Sequence, residues 1–312
     1  MVKMKVFVMV PAHNEELSLS NLIREIRKVS GDYKILVIDD GSRDNTYKIA
    51  KNEAHYTIKN KKNLGLAQSF KIGLEECLRL NADVIVNFDA DNQYNSKEIP
   101  KIIQPILDGK ADVVLTDRRV LSLKHMPFGK KYGNLLSTFV TRLVSNYPVK
   151  DAQSGFRAFS RESALKLNIF SNYTYVQETI IQAVEKKLKI VQIPCEFRER
   201  DGKSRLIRGS ILGYAKKAGL TIIRTFVQYK PLRALLTLSL FPIFFGLLLG
   251  LRFLYFFSLG DRGHVQSLVL AAILLIIGFQ LIVLAFIADS MGANRKINEE
   301  LLYLQKKKEY GK

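Results

Sequence analysis

Short, uninterrupted apolar runs alternate with segments of helical periodicity from residue 6 to residue 200 of this chain. Val6-Phe7-Val8-Met9-Val10, Ile35-Leu36-Val37-Ile38, Val84-Ile85-Val86 and Val113-Val114-Leu115 carry no polar residue, the pattern of strands buried on both faces. Between them, residues 15–29 place Leu17, Leu19, Leu22, Ile23 and Ile26 on one apolar side, and further helices are predicted from near Asp44, over 65–80 and over 96–107. Such alternation predicts βαβ units and an α/β fold built on a mainly parallel sheet. The pattern then changes. Residues 234–257 and 265–288 are almost wholly apolar, broken only by Arg252 in the first run. Each run is long enough to cross a hydrocarbon core of about 30 Å. A single such run could be a buried core helix, but two in succession predict a transmembrane hairpin. Between 204 and 229 apolar residues mix with basic ones at helical spacing, as in amphipathic helices lying in a membrane interface. The expected organisation is an α/β domain over 1–203, interface helices over 204–233, the hairpin over 234–288 and a basic tail over 289–312.

Charge changes the picture once its placement is considered. The formal net charge of +19 over 312 residues would suit a nucleic-acid binder. The basic residues instead gather around the hairpin. Arg205, Arg208, Lys216, Lys217, Arg224, Lys230 and Arg233 lead into it, and Arg295, Lys296 and Lys306-Lys307-Lys308 follow it. The loop between the apolar runs has only Arg262, beside Asp261. The positive-inside rule then places both termini and the α/β domain in the cytoplasm, with two spans in the cell membrane. The same charges would hold the protein against anionic headgroups, so the bilayer is the expected partner and nucleic acid is not. Cys77 and Cys195 stand in unrelated contexts and suggest neither a disulfide framework nor a zinc site. Residues 1–10 read as a strand rather than a signal peptide, so insertion is expected to rely on the hairpin.

The candidate chemistry lies at strand ends. The first strand is followed by Pro11-Ala12-His13-Asn14-Glu15-Glu16, the second by Asp39-Asp40-Gly41-Ser42, and the run from Val84 ends in Asp89-Ala90-Asp91-Asn92-Gln93. Open α/β sheets bind ligands just beyond the carboxyl ends of their strands. Hard cations such as Mg²⁺ take one or two carboxylates together with substrate phosphates. A lone pair of aspartates is more often a solvated turn, and Asn14, Glu16, Asp44 or Thr46 taken singly would be helix caps. Three polar clusters at successive strand ends point instead to a nucleotide site.

The segments PAHNEE, IDDGSRDNT, NLGLA, DADNQ and DAQSGFRAFSRE, in this order, resemble glycosyltransferase family 2, whose fold is GT-A. With the basic GKSRL segment before the hairpin, the chain is most similar to the dolichyl- and polyprenyl-phosphate mannose and glucose synthases. That resemblance implies a nucleotide-sugar donor, a polyprenyl-phosphate acceptor and a divalent cation, Mg²⁺ or Mn²⁺. It implies that Pro11, Ala12, Asn14, Glu16 and Asp40 line the nucleoside pocket, that Asp89 contacts the nucleotide sugar, and that Asp91 and Gln93 hold the metal. Asp151, Ser154, Gly155 and Phe156 match the loop near the sugar, and Glu178 the acidic residue on a helix beside the acceptor. Arg118, Lys130 and an arginine before GKSRL, Arg200 or in another register Arg198, would meet the lipid phosphate. His13 stands where the family usually has tyrosine, which alters a stacking contact to the base.

A phosphate monoester has a second pKa near 6, so the acceptor is already an anionic nucleophile and needs no strong base. Direct displacement would invert the anomeric carbon. The resemblance favours UDP-glucose over GDP-mannose, because Tyr175-Val176-Gln177-Glu178-Thr179 and Arg157 depart from the mannose synthases toward archaeal hexose transferases, several of which use UDP sugars. Homo-oligomers through the hairpin are a further expectation. A processive polysaccharide synthase usually carries a tryptophan motif, and this chain has no tryptophan. A nucleotidyltransferase has no need of a hairpin, and a membrane scaffold leaves the three strand ends idle.

Overall fold

The computed structural model describes residues 4–123, 126–170, 175–199, 226–227, 229–261 and 263–311. It divides into two units, Met1–Ala218 with Leu301–Lys312, and Gly219–Glu300. The first unit runs β1 (Val6–Ala12), α1 (Leu19–Val29), β2 (Lys34–Asp39), α2 (Thr46–Glu53), β3 (Tyr56–Lys59), α3 (Leu66–Arg79) and β4 (Val84–Asn87). It continues through α4 (Ile99–Leu107), β5 (Val113–Asp117), α5 (Phe128–Ser145), β6 (Arg157–Ser160), α6 (Arg161–Lys166), α7 (Val176–Glu185) and β7 (Ile190–Pro194). The strands form one sheet in the order β3-β2-β1-β4-β6-β5-β7. All neighbours are parallel except β6, which runs antiparallel to both β4 and β5.

The alternation of side chains along β1 sets up two cores. Val6, Val8 and Val10 face α1, through Leu22, Ile23 and Ile26, and α4, through Ile99, Ile102 and Ile103. Phe7 and Met9 face α3, through Phe70, Leu74 and Leu78. Burial on both faces is why these strands read as continuous apolar runs. α1 begins later than its periodicity predicts. Glu15 donates its N–H to Thr46 Oγ1 at 2.8 Å and its carbonyl accepts from Ser18 and Leu19, which closes a turn. Leu17 sits in that turn and is 95% exposed, not part of the apolar face.

The second unit contains α8 (Pro231–Ser258) and most of a long helix, α9 (Val265–Tyr310), whose final residues 301–310 belong to the first unit. Both helices are long and apolar enough to cross a membrane, and most of their surface is exposed. They pack on small residues, Ser239, Pro242 and Gly246 of α8 against Ala271, Gly278 and Ala285 of α9. A Cβ at Gly246 would lie 2.9 Å from Leu275 Cγ, and one at Gly278 would collide with Ile243. Arg252, the one charge in the first apolar run, donates to Ser267 Oγ at 3.1 Å. Gly278→Leu is therefore expected to destabilise the helix pair by about 1–3 kcal/mol. Gly250→Leu, at a glycine with nothing within 4 Å, should leave the thermal midpoint in detergent unchanged.

The last turns of α9 dock on α6 within the first unit. Tyr303 donates its hydroxyl to Glu162 at 2.9 Å, and Lys306 Nζ donates to Leu167 O and Asn168 Oδ1, both at 2.9 Å. Arg161 donates to the carbonyl of Tyr310. Burial, with Lys186 and Lys71 nearby, pulls the Lys306 ammonium down to about 8 against the pull of Glu75. An undocked lysine titrates near 10.4, so between these values the docked state binds fewer protons and docking strengthens as pH rises. Hydrogen-exchange protection of residues 301–310 should increase across that window relative to the sheet.

Candidate functional site

The strands carrying the polar clusters, β2, β1 and β4, are neighbours, so their carboxyl ends form one edge. The loops after β1 and β2 are bonded to each other. Asn14, at φ 53°, accepts the Arg43 N–H at 2.8 Å and donates its own N–H to Ser42 Oγ at 2.9 Å. Glu16 accepts from the backbone and side chain of Asn45 at 3.0 and 3.1 Å. His13 Nδ1 lies 2.8 Å from the Asp40 carbonyl oxygen and its Nε2 lies 3.0 Å from the Asn14 amide nitrogen, so the ring ties the ends of β1 and β2 together. Pro11 and Ala12 are buried at the end of β1, in register with Ile38 and Asp39.

Asp40 is buried and gathers the loop that leads into α3. Its oxygens accept from Asn60 Nδ2 at 2.8 Å and from the N–H groups of Leu64 and Gly65, both at 2.9 Å. Gly41, at φ +66°, lets that loop pass, since a Cβ there would lie 2.6 Å from Lys62 C. The NLGLA segment is thereby clamped to the end of β2.

The antiparallel β6 brings the other half of the site into place. Asn87 pairs with Arg157 and Val86 with Ala158, and continuing that register sets Asp89 opposite Gly155. A Cβ on Gly155 would lie 2.6 Å from Asp89 Oδ2 and 3.0 Å from Oδ1. The carboxylate occupies the space a side chain would need. Gly155→Ala should therefore displace Asp89 rather than the backbone, because the crowded atoms are the tip of a side chain. Misplacement by about 1 Å can reduce turnover on the order of 10²-fold. Steady-state kinetics with an unchanged circular dichroism spectrum would show it.

Arg118 and Asp151 were expected at opposite ends of the reaction, and the structure joins them. Arg118 Nε and Nη2 donate to the Asp151 oxygens at 2.6 and 2.9 Å, and the Arg118 N–H adds a third bond at 3.2 Å. Both are buried. Burial alone would lower the arginine's pKa, but Asp151 holds it above its ordinary value. Burial would likewise raise the Asp151 carboxyl, and Arg118 keeps it below the usual carboxylate range. The Arg118 guanidinium also lies over the Phe197 ring, 5.1 Å from its centroid.

Residues not anticipated from the sequence hold the 151–156 loop. Thr116 Oγ1 hydrogen-bonds with Ser154 Oγ at 2.5 Å and donates to Phe156 O at 2.6 Å. The Tyr94 hydroxyl lies 3.2 Å from Ser154 Oγ and accepts the Gly155 N–H at 3.1 Å. Phe156 packs edge-on against Phe88, with ring centroids 4.7 Å apart. Asn87 donates to Gly155 O and to the Tyr175 hydroxyl, both at 2.8 Å. Arg157 is fully buried and binds Ser154 O, Ala152 O, Val176 O and Thr179 Oγ1, joining the loop to α7. Burial pulls its pKa down to about 10. Its guanidinium therefore shapes the loop from beneath.

Glu178 on α7 is buried and accepts the Phe170 N–H at 3.1 Å. Lys130 is half-buried in the first turn of α5. Arg198 donates its N–H to Gln93 O at 2.7 Å and pairs with Glu25 at 3.8 Å. Arg200, with most of the expected interface helices over 204–233, lies outside the described residues. Among the described residues no cluster of three or more acidic, histidine or cysteine side chains forms a metal site. The DADNQ loop nevertheless fits a hard cation that takes its remaining ligands from a diphosphate. It presents the Asp91 carboxylate and the Gln93 amide, whose nitrogen donates to Arg198 O at 3.5 Å. In the same loop Asn92 turns the chain at φ 59°, and its shielded Oδ1 has no hydrogen-bond partner among the described residues.

The sequence model described as glycosyl transferase family 2 matches residues 7–167. A UDP-N-acetylglucosamine–dolichyl-phosphate N-acetylglucosaminyltransferase of Methanococcus voltae is 36% identical over 212 residues, 61% of this chain and 84% of that protein. A dolichyl-phosphate hexose transferase of Haloferax volcanii is 26% identical over 200 residues, covering 64% of this chain and 85% of the relative. Among solved structures, glucosyl-3-phosphoglycerate synthase of Mycobacterium tuberculosis, in complex with Mn²⁺, UDP and glucosyl-3-phosphoglycerate, superposes with a TM-score of 0.55. It is 19% identical, and the match covers 72% of this chain and 79% of that one, a likeness of the GT-A fold.

Proposed function

Because the chain belongs to glycosyl transferase family 2, we propose that it is a membrane-bound, inverting transferase that moves a hexose from a nucleotide sugar to dolichyl or polyprenyl phosphate. The observation that carries this reading is the seam between β4 and β6, where Asp89 lies on Gly155 beside the Asp91–Gln93 loop. The names of the Methanococcus and Haloferax relatives support the lipid-phosphate acceptor.

In this reading Pro11, Ala12, Asn14 and Glu16 receive the nucleoside, and Asp40 shapes the pocket by holding the loop at Leu64 and Gly65. Asp89 contacts the sugar, while Ser154, Gly155 and Phe156 form the floor on which it rests. Asp91 and Gln93 would hold Mg²⁺ or Mn²⁺, which when bound neutralises the departing diphosphate; the Mn²⁺ in the Mycobacterium structure supports that choice. Asp151 occupies Nε and Nη2 of Arg118, which leaves Nη1 for the acceptor. Lys130 and Arg200 complete the cationic end, where arginine's fork suits phosphate oxygens. Glu178 sets the position of α7 through Phe170 rather than serving as a base.

The acceptor's dianionic phosphate attacks the anomeric carbon, and the bond from that carbon to the nucleotide's β-phosphate oxygen breaks. The diphosphate leaves with the bonding pair, no proton has to move, and an α-linked donor gives a β-linked phosphodiester. The two apolar helices would anchor the enzyme with both termini on the cytoplasmic face.

For the donor we favour UDP-glucose. The uridine in the name of the Methanococcus relative supports the base and makes N-acetylglucosamine the second reading of the sugar. Arg157 bears on this choice only through the shape of the loop, because its hydrogen bonds all go to protein oxygens. Calorimetry should find UDP bound more tightly than GDP. Tighter GDP binding, with mannose appearing on the lipid, would overturn the donor and leave the reaction class standing.

A further inference from the structure

α5 is amphipathic with its faces reversed. Its buried side consists of Ser137, Thr138, Thr141, Val144 and Ser145, mostly hydroxyls. Its outer side carries Phe128, Tyr132, Leu136, Phe139 and Leu143, between 50% and 74% exposed. These five recur at intervals of three and four residues, so they form one continuous ridge opposite the hydroxyl face. A helix on a water-facing surface shows the opposite arrangement.

The inner hydroxyls have an evident task. Thr138 Oγ1 accepts the Ala152 N–H at 3.2 Å, and Ser137 Oγ accepts from the side chains of Gln153 and Gln177. α5 is thus fastened to the loop that holds Asp151 and Gly155. The outer ridge has no such explanation among the described residues of the first unit. Charge indicates what covers it. α5 contains Lys130, Lys131 and Arg142 and no acidic residue. Lys131 Nζ donates to the carbonyl of Leu121 at 3.4 Å, and Leu121 is itself 71% exposed, which extends the apolar surface past the basic end of the helix. Three aromatic rings, an aliphatic ridge and basic residues with no acid among them match the headgroup–acyl boundary of an anionic bilayer.

We infer that the outer face of α5 lies in the membrane interface, so that the catalytic domain is seated on the bilayer through this helix as well as held by the apolar C-terminal helices. With α5 in the interface, the loop at 151–155 stands one helix away from the lipid, at the level where an acceptor's phosphate is presented. This rests on the membrane-bound reading above, but the fluorescence measurements that decide it read insertion and not transfer.

Tyr132→Cys and Phe139→Cys, and Lys48→Cys on the exposed side of α2 as reference, are labelled with an environment-sensitive fluorophore in the full-length protein. The labelled proteins are placed in nanodiscs of phosphatidylcholine and phosphatidylglycerol in equal parts. Fluorescence at 132 and 139 is expected to rise on reconstitution and to be lost when phosphatidylcholine with a shallow doxyl quencher is included, while the label at 48 does neither. Leu136→Asp with Phe139→Asp should weaken use of a bilayer-embedded long-chain acceptor about tenfold, the effect of roughly 1.4 kcal/mol, and leave nucleotide binding and a water-soluble short-chain acceptor unaffected. Labels at 132 and 139 that behave like the reference would overturn the inference. So would labels shielded from the quencher that cross-link between copies, which would make the ridge a protein interface.

Discussion

Asp91→Ala is expected to abolish sugar transfer while leaving the fold intact. Asp91 is half-buried, and within its own loop it accepts the Gln93 N–H in one long bond at 3.3 Å. Its chemical duty in the proposed reaction is larger, because a diphosphate must leave with its negative charge balanced. Loss of one fixed stabiliser of developing charge typically costs about 10²–10³-fold in turnover, and loss of a ligand to the balancing cation should reach or exceed the upper end. Asp89→Ala should behave similarly, since its carboxylate fills the space over Gly155. The wild type should be silenced by EDTA and recover on addition of Mn²⁺ or Mg²⁺. Undiminished activity in excess chelator would refute the metal-dependent mechanism.

Arg118→Met is expected to be the most damaging single change to stability among the site residues. It leaves Asp151 buried with its counterion gone, and breaking a buried pair from one side costs about 3–5 kcal/mol. The geometry thus separates two effects that an activity assay would merge, the loss of an acceptor contact and the loss of the loop. Arg118→Met combined with Asp151→Leu removes both charges and should recover much of the thermal midpoint. It should not recover transfer, since no guanidinium remains for the acceptor phosphate. A double variant as unstable as the single one would show that the pair is not what holds the loop. A stable, fully active double variant would remove Arg118 from the acceptor site.

Parts of this architecture are plain in the sequence because of how burial shapes composition. β1, β2, β4 and β5 are covered on both faces, so they appear as unbroken apolar runs, and the polar residues that follow them mark one edge of the sheet. β6 is different. Arg157-Ala158-Phe159-Ser160 opens with a charged residue that is buried only because four protein oxygens receive its guanidinium, and no local pattern announces such a strand. The pairing of Arg118 with Asp151 follows from β6 running antiparallel between β4 and β5, a fact of topology rather than of motif. Tyr94 and Thr116 escape notice for the same reason, since their partners lie 60 and 38 residues away in Ser154. In α5 the apolar spacing is readable from the sequence, but periodicity does not say which face looks outward. The tertiary bonds of Ser137 and Thr138 decide that.

If this edge of the sheet joins a sugar to a lipid phosphate, the product itself carries the proof. Purified full-length protein in nanodiscs is incubated with a panel of UDP and GDP sugars and polyprenyl phosphates in the presence of Mn²⁺, and the lipids are analysed by mass spectrometry. The expected product is one hexose joined to the polyprenyl phosphate through a phosphodiester, with a nucleoside diphosphate released in equal amount and the anomeric linkage β. A sugar polymer, a sugar attached to a hydroxyl acceptor, or nucleotide-sugar hydrolysis with the lipid unchanged would contradict it.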